Sequence, residues 1–580
     1  MTSLAGRWLP PRHPPSVHPL PLARPSAQGG FPKVAGSVNR RHAQGAPHLH
    51  ACPRGRSAAL LVACSLLLFA LTFAPARAAG DFRYPIAADP EHLNPFRSTT
   101  VATRTVLIQV YEPLVTFDPQ TGGLKPELAE RWEVSEDGLT YTFHLRKGVR
   151  FHQVPGVVYD DPEVTAEDWI WSFEMFLSGD TAISEHPEYL EAVKGARAFT
   201  AGEADRVEGV RALDPYTLEV TLEEPNHRFL FDLINVYVVP REAYEQLGSR
   251  FSQVPVGTGP FLFHEWLRDD HITLVKNPDY WEPGLPKLDS ITYVNVPDAT
   301  TQLFQYRQDA LHVLLDFPTG QVAALRQEFA DEYVEIPGLN LRYLGFKWTS
   351  GPFKDNRALR LAVAHALDQE TIWNVLMEGA RFPAHQGVLP PAMPAADVEG
   401  YRYDPELARQ YLAEAGYPNG QGLEPITYYY FASAAAEPYH AAIQAMLAEV
   451  GIPIVLRSED NTTYWTRVGD DDVHLFLSGW SADFLDPSEV FNYLFYQGRD
   501  DTNYSNPEVD ALIARATAIT DDAERNALYR QIHQMILEDV PMVPLSYSKV
   551  MALVKPYVKD FFLSPAGAYR VPMKYVALER

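Results

Sequence analysis

The chain has 580 residues, 46% of them apolar and 12% aromatic, which is enough for two or three packed domains and too much for one small core. Residues 1–78 hold nine Lys/Arg and no Asp/Glu, leaving 40 basic against 74 acidic side chains downstream, a formal net charge of −34. Such a surface repels phosphate backbones and anionic headgroups, which argues against nucleic acid as a partner. Cys52 and Cys64 both lie in the N-terminal segment. Disulfide scaffolds, zinc thiolates, iron–sulfur clusters and cysteine nucleophiles are therefore excluded beyond residue 78.

Residues 1–53 are rich in Pro, His and Arg and read as a disordered extension or a misassigned start. Arg54 and Arg56 precede the uncharged run Ala58 to Phe73, and Ala76-Arg77-Ala78 follows it. Basic region, apolar core and small-x-small cleavage site in that order predict a secretory signal within 1–78. The run falls short of the roughly 20 residues a spanning helix needs, so the mature protein is expected to be soluble and exported to the periplasm. Leu61-Val62-Ala63-Cys64 resembles a lipoprotein box that would anchor the protein at Cys64. The apolar run continues past that cysteine, which disfavours anchoring.

Further on, Leu139, Tyr141, Phe143 and Leu145 alternate with polar residues, and so do Tyr216, Leu218, Val220 and Leu222. Both predict half-buried strands. Between them, Thr165-Ala166-Glu167-Asp168 resembles a capping box, with Trp169, Phe173 and Phe176 on one helical face that should pack against a sheet. Asp404-Pro405 opens a helix that stops at Gly416, Asn506-Pro507 opens another, and Asp521 with Glu524 caps a longer one running to Pro541. The mixture is α/β or α+β. Segments 154–163, 252–260, 337–340 and 383–395 concentrate Pro and Gly and read as boundaries or lid loops.

No HExxH, GxSxG, GxxxxGK or GxGxxG motif is present. His144, His152, His264 and His365 lack a second ligand at metal spacing, and Asp470-Asp471-Asp472 lacks the alternation of a calcium loop. No cofactor or metal site is expected.

One stretch carries chemistry. Val473, Leu475 and Leu477 read as a strand that breaks at Gly479 and presents Trp480 and Asp483 in a loop held by Asp486 and Pro487. An indole beside a fixed carboxylate suits an extended ligand with a cationic end, such as a peptide α-ammonium. The residues alone leave a second reading open, in which Trp480 is core and the aspartates are turn and cap residues.

The run from Tyr111-Glu112-Pro113-Leu114 through Leu124 to Ala129 and Trp132 to His152 resembles the family 5 extracellular solute-binding proteins, the dipeptide- and oligopeptide-binding components of bacterial ABC importers. Gly257 to Phe261, Asn277 to Trp281, Arg357 to Asp368, Gly479 to Pro487 and Asn503 to Pro507 continue the resemblance in family order over residues 81–550. It implies an α/β, two-lobed periplasmic-binding-protein fold with an extra subdomain in lobe I. The lobes are joined by two hinge crossings, near Pro337 to Gly345 and Pro544 to Val554. The expected division is lobe I over 79–111, 261–340 and 549–580, its subdomain over 112–260, and lobe II over 341–548.

The implied function is capture of di- to oligopeptides for the ABC permease subunits of the inner membrane, by a monomer that is not an enzyme. By the same resemblance Asp483 pairs with the ligand ammonium, while the backbone of Gly479, Trp480, Ser481 and Ala482 adds the peptide as a strand. Asn94 and Tyr111 are candidates for the opposite wall, against a turn and a core aromatic as the structural alternative. The chain departs from the family pattern at Gln153 to Pro162 and at Glu378 to Pro383 with Gly387 to Pro391. The second region often faces the cleft, which leaves ligands such as nickel chelates, haem, sugars or opines open. A secreted hydrolase on the same fold would need a nucleophile–base pair or metal cluster. A sensory or chaperone-like binding protein is a third class.

Overall fold

The computed structural model describes residues 80–579, apart from 120, 121, 319, 434, 435, 520, 568 and 569. The predicted secretory signal and the cysteine at 64 lie outside the described residues. Strand β1 (Asp81–Ile86) opens the described chain. Strands β2 (Ala129–Val134), β3 (Thr140–Leu145), β4 (Val210–Asp214) and β5 (Thr217–Thr221) make an antiparallel sheet in the order β2-β3-β5-β4. Tyr141, Phe143 and Leu145 alternate inward, as the period-two pattern predicts. Helix α1 (Ala166–Phe176) starts at the Thr165/Asp168 capping box and buries Trp169, Phe173 and Phe176 in the same apolar core as β3. Strands β6 (Phe261–Leu267), β7 (His271–Lys276) and β8 (Ser290–Asn295) then return to β1, which pairs parallel with β8.

The largest sheet has seven strands: β9 (Val313–Leu314), β10 (Tyr333–Phe346), β11 (Phe382–Pro383), β12 (Ile426–Phe431), β13 (Ile454–Glu459), β14 (Leu475–Ser481) and β15 (Met542–Val554). Its order is β9-β15-β10-β14-β12-β13, with β11 also paired to β15. Helices α2 (Pro405–Glu414), α3 (Glu437–Val450), α4 (Ser488–Leu494), α5 (Pro507–Thr517) and α6 (Asp522–Asp539) belong to the same half. The expected starts hold: Asp404, Asn506 and Asp521 each accept a first-turn backbone N–H.

Apolar side chains gather in two large cores, giving a two-lobed α/β molecule. One spans Phe82 to Tyr293 and is rejoined by Val571, Met573 and Val576, and the other spans Leu339 to Tyr547. Strands β10 and β15 run between them as an antiparallel pair from Tyr333↔Leu553 to Gly345↔Met542.

Residues 337–340, expected as a boundary loop, lie inside β10. The ladder passes from Pro337↔Lys549 to Leu341↔Tyr547 across a register shift, so the missing proline N–H falls at a bulge and the strand continues. Strand β14 likewise does not break at Gly479. Its pairing to β10 carries it on to Ser481, opposite Asn340.

Candidate functional site

Strand β14 is buried from Leu475 to Ser478 and exposed at Gly479 and Ser481. The Ala482 N–H donates to the Leu339 carbonyl at 3.2 Å, which fixes the phase of the β10–β14 ladder. Trp480 then exchanges bonds with Leu341, while Gly479 and Ser481 turn their N–H and C=O groups away from β10. On that far side, β12 pairs with β14 only at Tyr428↔Leu475 and Tyr429↔Phe476. From Gly479 to Ser481 the strand therefore presents an open edge among the described residues, able to accept another extended chain.

Asp483 stands exposed just past this edge, and its N–H donates to the Glu489 carboxylate at 3.1 Å. Glu489 is buried on α4 and paired with Arg228 at 2.6 Å. Burial raises the Glu489 carboxyl and the Arg228 charge opposes that rise. Arg228 also meets Asp232 at 3.3 Å and the Tyr493 hydroxyl at 3.1 Å, and lies over the Phe484 ring. Trp480 is half-buried and stacked on Tyr493, with centroids 4.7 Å apart. Its indole N–H is buried without an acceptor among the described residues.

Asp486 locks the loop from beneath. It accepts the Ser488 N–H at 2.8 Å and meets His227 at 3.4 Å and Arg525 at 3.8 Å. Burial would raise its carboxyl, but the bond to His227 and the attraction of His227 and Arg525 bring it down to about 2. The Phe231 and Phe484 rings stack at 5.1 Å beside it. Residues 227–232 of the first half thus brace the loop that carries Asp483.

A cavity of about 750 Å³ lies where β10 leaves the first core. Tyr111, Glu112 and Lys574 line one side, Val334 and Ile336 the strand, and Leu485 the other side. Tyr111 is buried in its wall and accepts the Val256 N–H at 3.0 Å. Glu112 is fully bonded to Thr258, Tyr280 and Trp281, and burial with the charge of Glu127 pushes its carboxyl well above the usual range. Asn94 is buried away from the cavity and caps a short helix through the Phe96 N–H. Asp483, Trp480, Gly479, Ser481 and Ala482 do not line the cavity, and Ala482 is buried. Of the expected residues, Gly479 to Asp483 come together in one strip, while Tyr111 and Asn94 stand apart from it. No group of three His, Cys, Asp or Glu among the described residues is placed to hold a metal ion. No helix of the described residues is long and apolar enough to cross a membrane.

The family model of bacterial extracellular solute-binding proteins, family 5 Middle, matches residues 123–502. The chain belongs to this family.

Heme-binding protein A of Haemophilus influenzae is 31% identical over 480 residues, covering 79% of this chain and 85% of that one. The dipeptide-binding protein of Escherichia coli is 28% identical over 528 residues, covering 87% and 96%. The glutathione-binding protein GsiB of Shigella flexneri is 28% identical over 512 residues, covering 86% and 94%. Among solved structures, HbpA2 from Haemophilus parasuis superposes with a TM-score of 0.76 at 25% identity, over 86% of this chain and all of that one. DppA from Helicobacter pylori, in complex with the peptide STSA, gives 0.61 at 28% identity, over 86% and 98%. These neighbours share the two-lobed fold with this solute-binding protein.

Proposed function

We propose that this solute-binding protein captures short peptides in the cleft between its lobes and hands them to a membrane ABC permease. The observation that carries this reading is the open edge at Gly479 and Ser481 beside the exposed Asp483 carboxylate. A peptide varies in its side chains but always offers backbone N–H and C=O groups and a terminal ammonium, so edge and carboxylate together bind peptides of many sequences. The relatives named for dipeptide and glutathione binding, and the neighbour solved with a bound peptide, support the same class.

In this reading the ligand lies along Gly479 to Ser481 as an added strand, Trp480 forms an apolar wall, and Asp483 holds the ammonium. Tyr111 belongs to the facing wall, while Asn94 caps the short helix Pro95–Arg97. The exposure of Asp483 corresponds to an open state. Closure brings the first lobe over the strip and dries the ion pair, which strengthens it. We place lobe I at 79–111, 261–340 and 549–580, its subdomain at 112–260 and lobe II at 341–548. The protein acts as a periplasmic monomer without catalytic chemistry, exported by the signal within 1–78 and not anchored at Cys64.

Calorimetry with trialanine and N-acetyl-trialanine tests the reading. Wild type should bind the free amine more tightly by about 10- to 100-fold, the worth of a charge-assisted bond of about 1.5–3 kcal/mol. Asp483→Asn should lose that preference. Equal affinity of the wild type for both peptides overturns the assignment of Asp483.

A further inference from the structure

Arg342 on β10 and Arg381 in the turn before β11 are half-buried, and hydrogen bonds to neutral groups hold both. Arg381 Nε donates to Ser546 Oγ at 2.7 Å, and its Nη2 donates to Asn340 Oδ1 at 2.6 Å and to the Asn340 carbonyl at 3.1 Å. Arg342 Nη1 donates to the Tyr439 hydroxyl at 3.1 Å, with the guanidinium 5.9 Å from that ring's centre. Neither forms an ion pair with a carboxylate among the described residues, although the chain beyond residue 78 carries 74 acidic side chains. Two adjacent enclosed cations without a counter-ion are costly, and a fold with this much acid to spare could have neutralised them.

The sheet register shows where they sit. Ser546 is the ladder partner of Arg342 on one side, and Gly479 is its partner on the other. Asn340, two residues from Arg342, shares its face of the strand. Arg381 grips both Ser546 and Asn340, which places its guanidinium on the face of the sheet that Arg342 occupies. Directly across the ladder stands Gly479, which has no side chain to cover Arg342 and is the first residue of the open edge. The row Arg381, Ser546, Arg342, Gly479 therefore leads from a pair of cations to the strand that receives the ligand. Burial, and to a lesser extent the Arg342 charge, bring the Arg381 guanidinium down to about 9, and an incoming anion offsets both.

We propose that Arg342 and Arg381 form the anion subsite of the cleft and take the terminal carboxylate of a short peptide whose ammonium is held by Asp483. This rests on the reading of Gly479 to Asp483 as a peptide site and adds the other end of the ligand. The four steps from Gly479 to Asp483 span at most about 13 Å of extended chain. The two charged sites thus select a ligand of about two to four residues. A planar guanidinium fork suits a carboxylate in two-point geometry, and a second arginine lets each oxygen find its own donors. Arg381 lies in the segment 378–383 where the chain departs from the family pattern.

Calorimetry with trialanine, trialanine amide and N-acetyl-trialanine tests the subsite on wild type, Arg381→Gln and Arg342→Gln. In wild type the amide should bind about 10-fold or more weakly than the acid. Arg381→Gln should weaken the acid to the level of the amide and leave the amide unchanged, and Arg342→Gln should do the same, so that either variant decides the matter should the other fail to fold. An amide that binds wild type as tightly as the acid, while acetylation still weakens binding, overturns the arginine subsite and leaves the Asp483 reading standing. Failure of wild type to bind any of the three overturns both.

Discussion

Glu489 illustrates how a few side chains set the geometry of the strip. Its carboxylate is only 2% exposed, yet it fixes the backbone of Asp483 on one side and meets the Arg228 guanidinium on the other. Removing the cation from such a pair strands a buried charge, which costs about 3–5 kcal/mol, whereas removing both charges costs much less. Arg228→Met should therefore lower stability by about 3 kcal/mol or more in urea unfolding, with Arg228→Met/Asp232→Asn/Glu489→Gln, which removes both of its carboxylate partners, recovering most of it. A single variant within about 0.5 kcal/mol of wild type would mean that the pair braces nothing. None of this pairing is legible in the sequence. Arg228 and Glu489 lie 261 positions apart, and only the packing of residues 227–232 on the 482–487 loop brings them together. By contrast, Asp483 and Trp480 could be singled out, because an acidic and an aromatic residue next to a period-two apolar run is a local pattern.

At the scale of elements, the legible features were those set by nearest neighbours. The Thr165 to Asp168 capping box, the Asn506-Pro507 start and the Tyr141 alternation each describe one turn or one face, and the chain obeys them. The misread features were the interrupted ones. Gly479 and Pro337-Gly338 punctuate the sequence as breaks, but long-range ladders carry β14 and β10 through them, at the cost of one bulge. The Arg342–Arg381 pair was hidden for the same reason, since it exists only through the registry of β10, β14 and β15. Gly387 offers a test of how tightly the 383–395 segment is fitted. Its φ is +83°, and a Cβ there would lie 2.5 Å from the His533 ring and 2.9 Å from Leu537. Gly416, at φ +96°, has open space around the same position. Both alanine variants bear the left-handed backbone cost of about 1 kcal/mol, but only Gly387→Ala must also displace the core of α6. In thermal unfolding Gly387→Ala should fall well below Gly416→Ala, and equal midpoints would mean that the segment yields freely.

Across the whole molecule, each core encloses a histidine held neutral by the same arrangement. His152 Nε2 lies 2.9 Å from the Gly259 carbonyl, with the Gly257 N–H facing its other nitrogen. His533 Nδ1 lies 3.2 Å from the Ala395 carbonyl and its Nε2 accepts the Val388 N–H at 3.0 Å. Burial brings both down to about 4, against an ordinary value near 6.5. A depressed folded value means that the unfolded chain takes up these protons first. The stability each imidazole contributes is complete above about pH 6.5 and drains away as the pH falls toward 4. Glu112 works against this, because its raised carboxyl already holds a proton in the fold at a pH where the unfolded chain does not. Because such opposed contributions overlap in the wild type, a variant is needed to expose the histidine contribution. His533→Gln lacks the titrating ring, so its deficit relative to wild type should shrink by about 2–3 kcal/mol between pH 7 and pH 4.5. Urea unfolding at pH 7 and pH 4.5 measures both gaps, and a deficit that stays constant would show that His533 carries its proton in the folded protein.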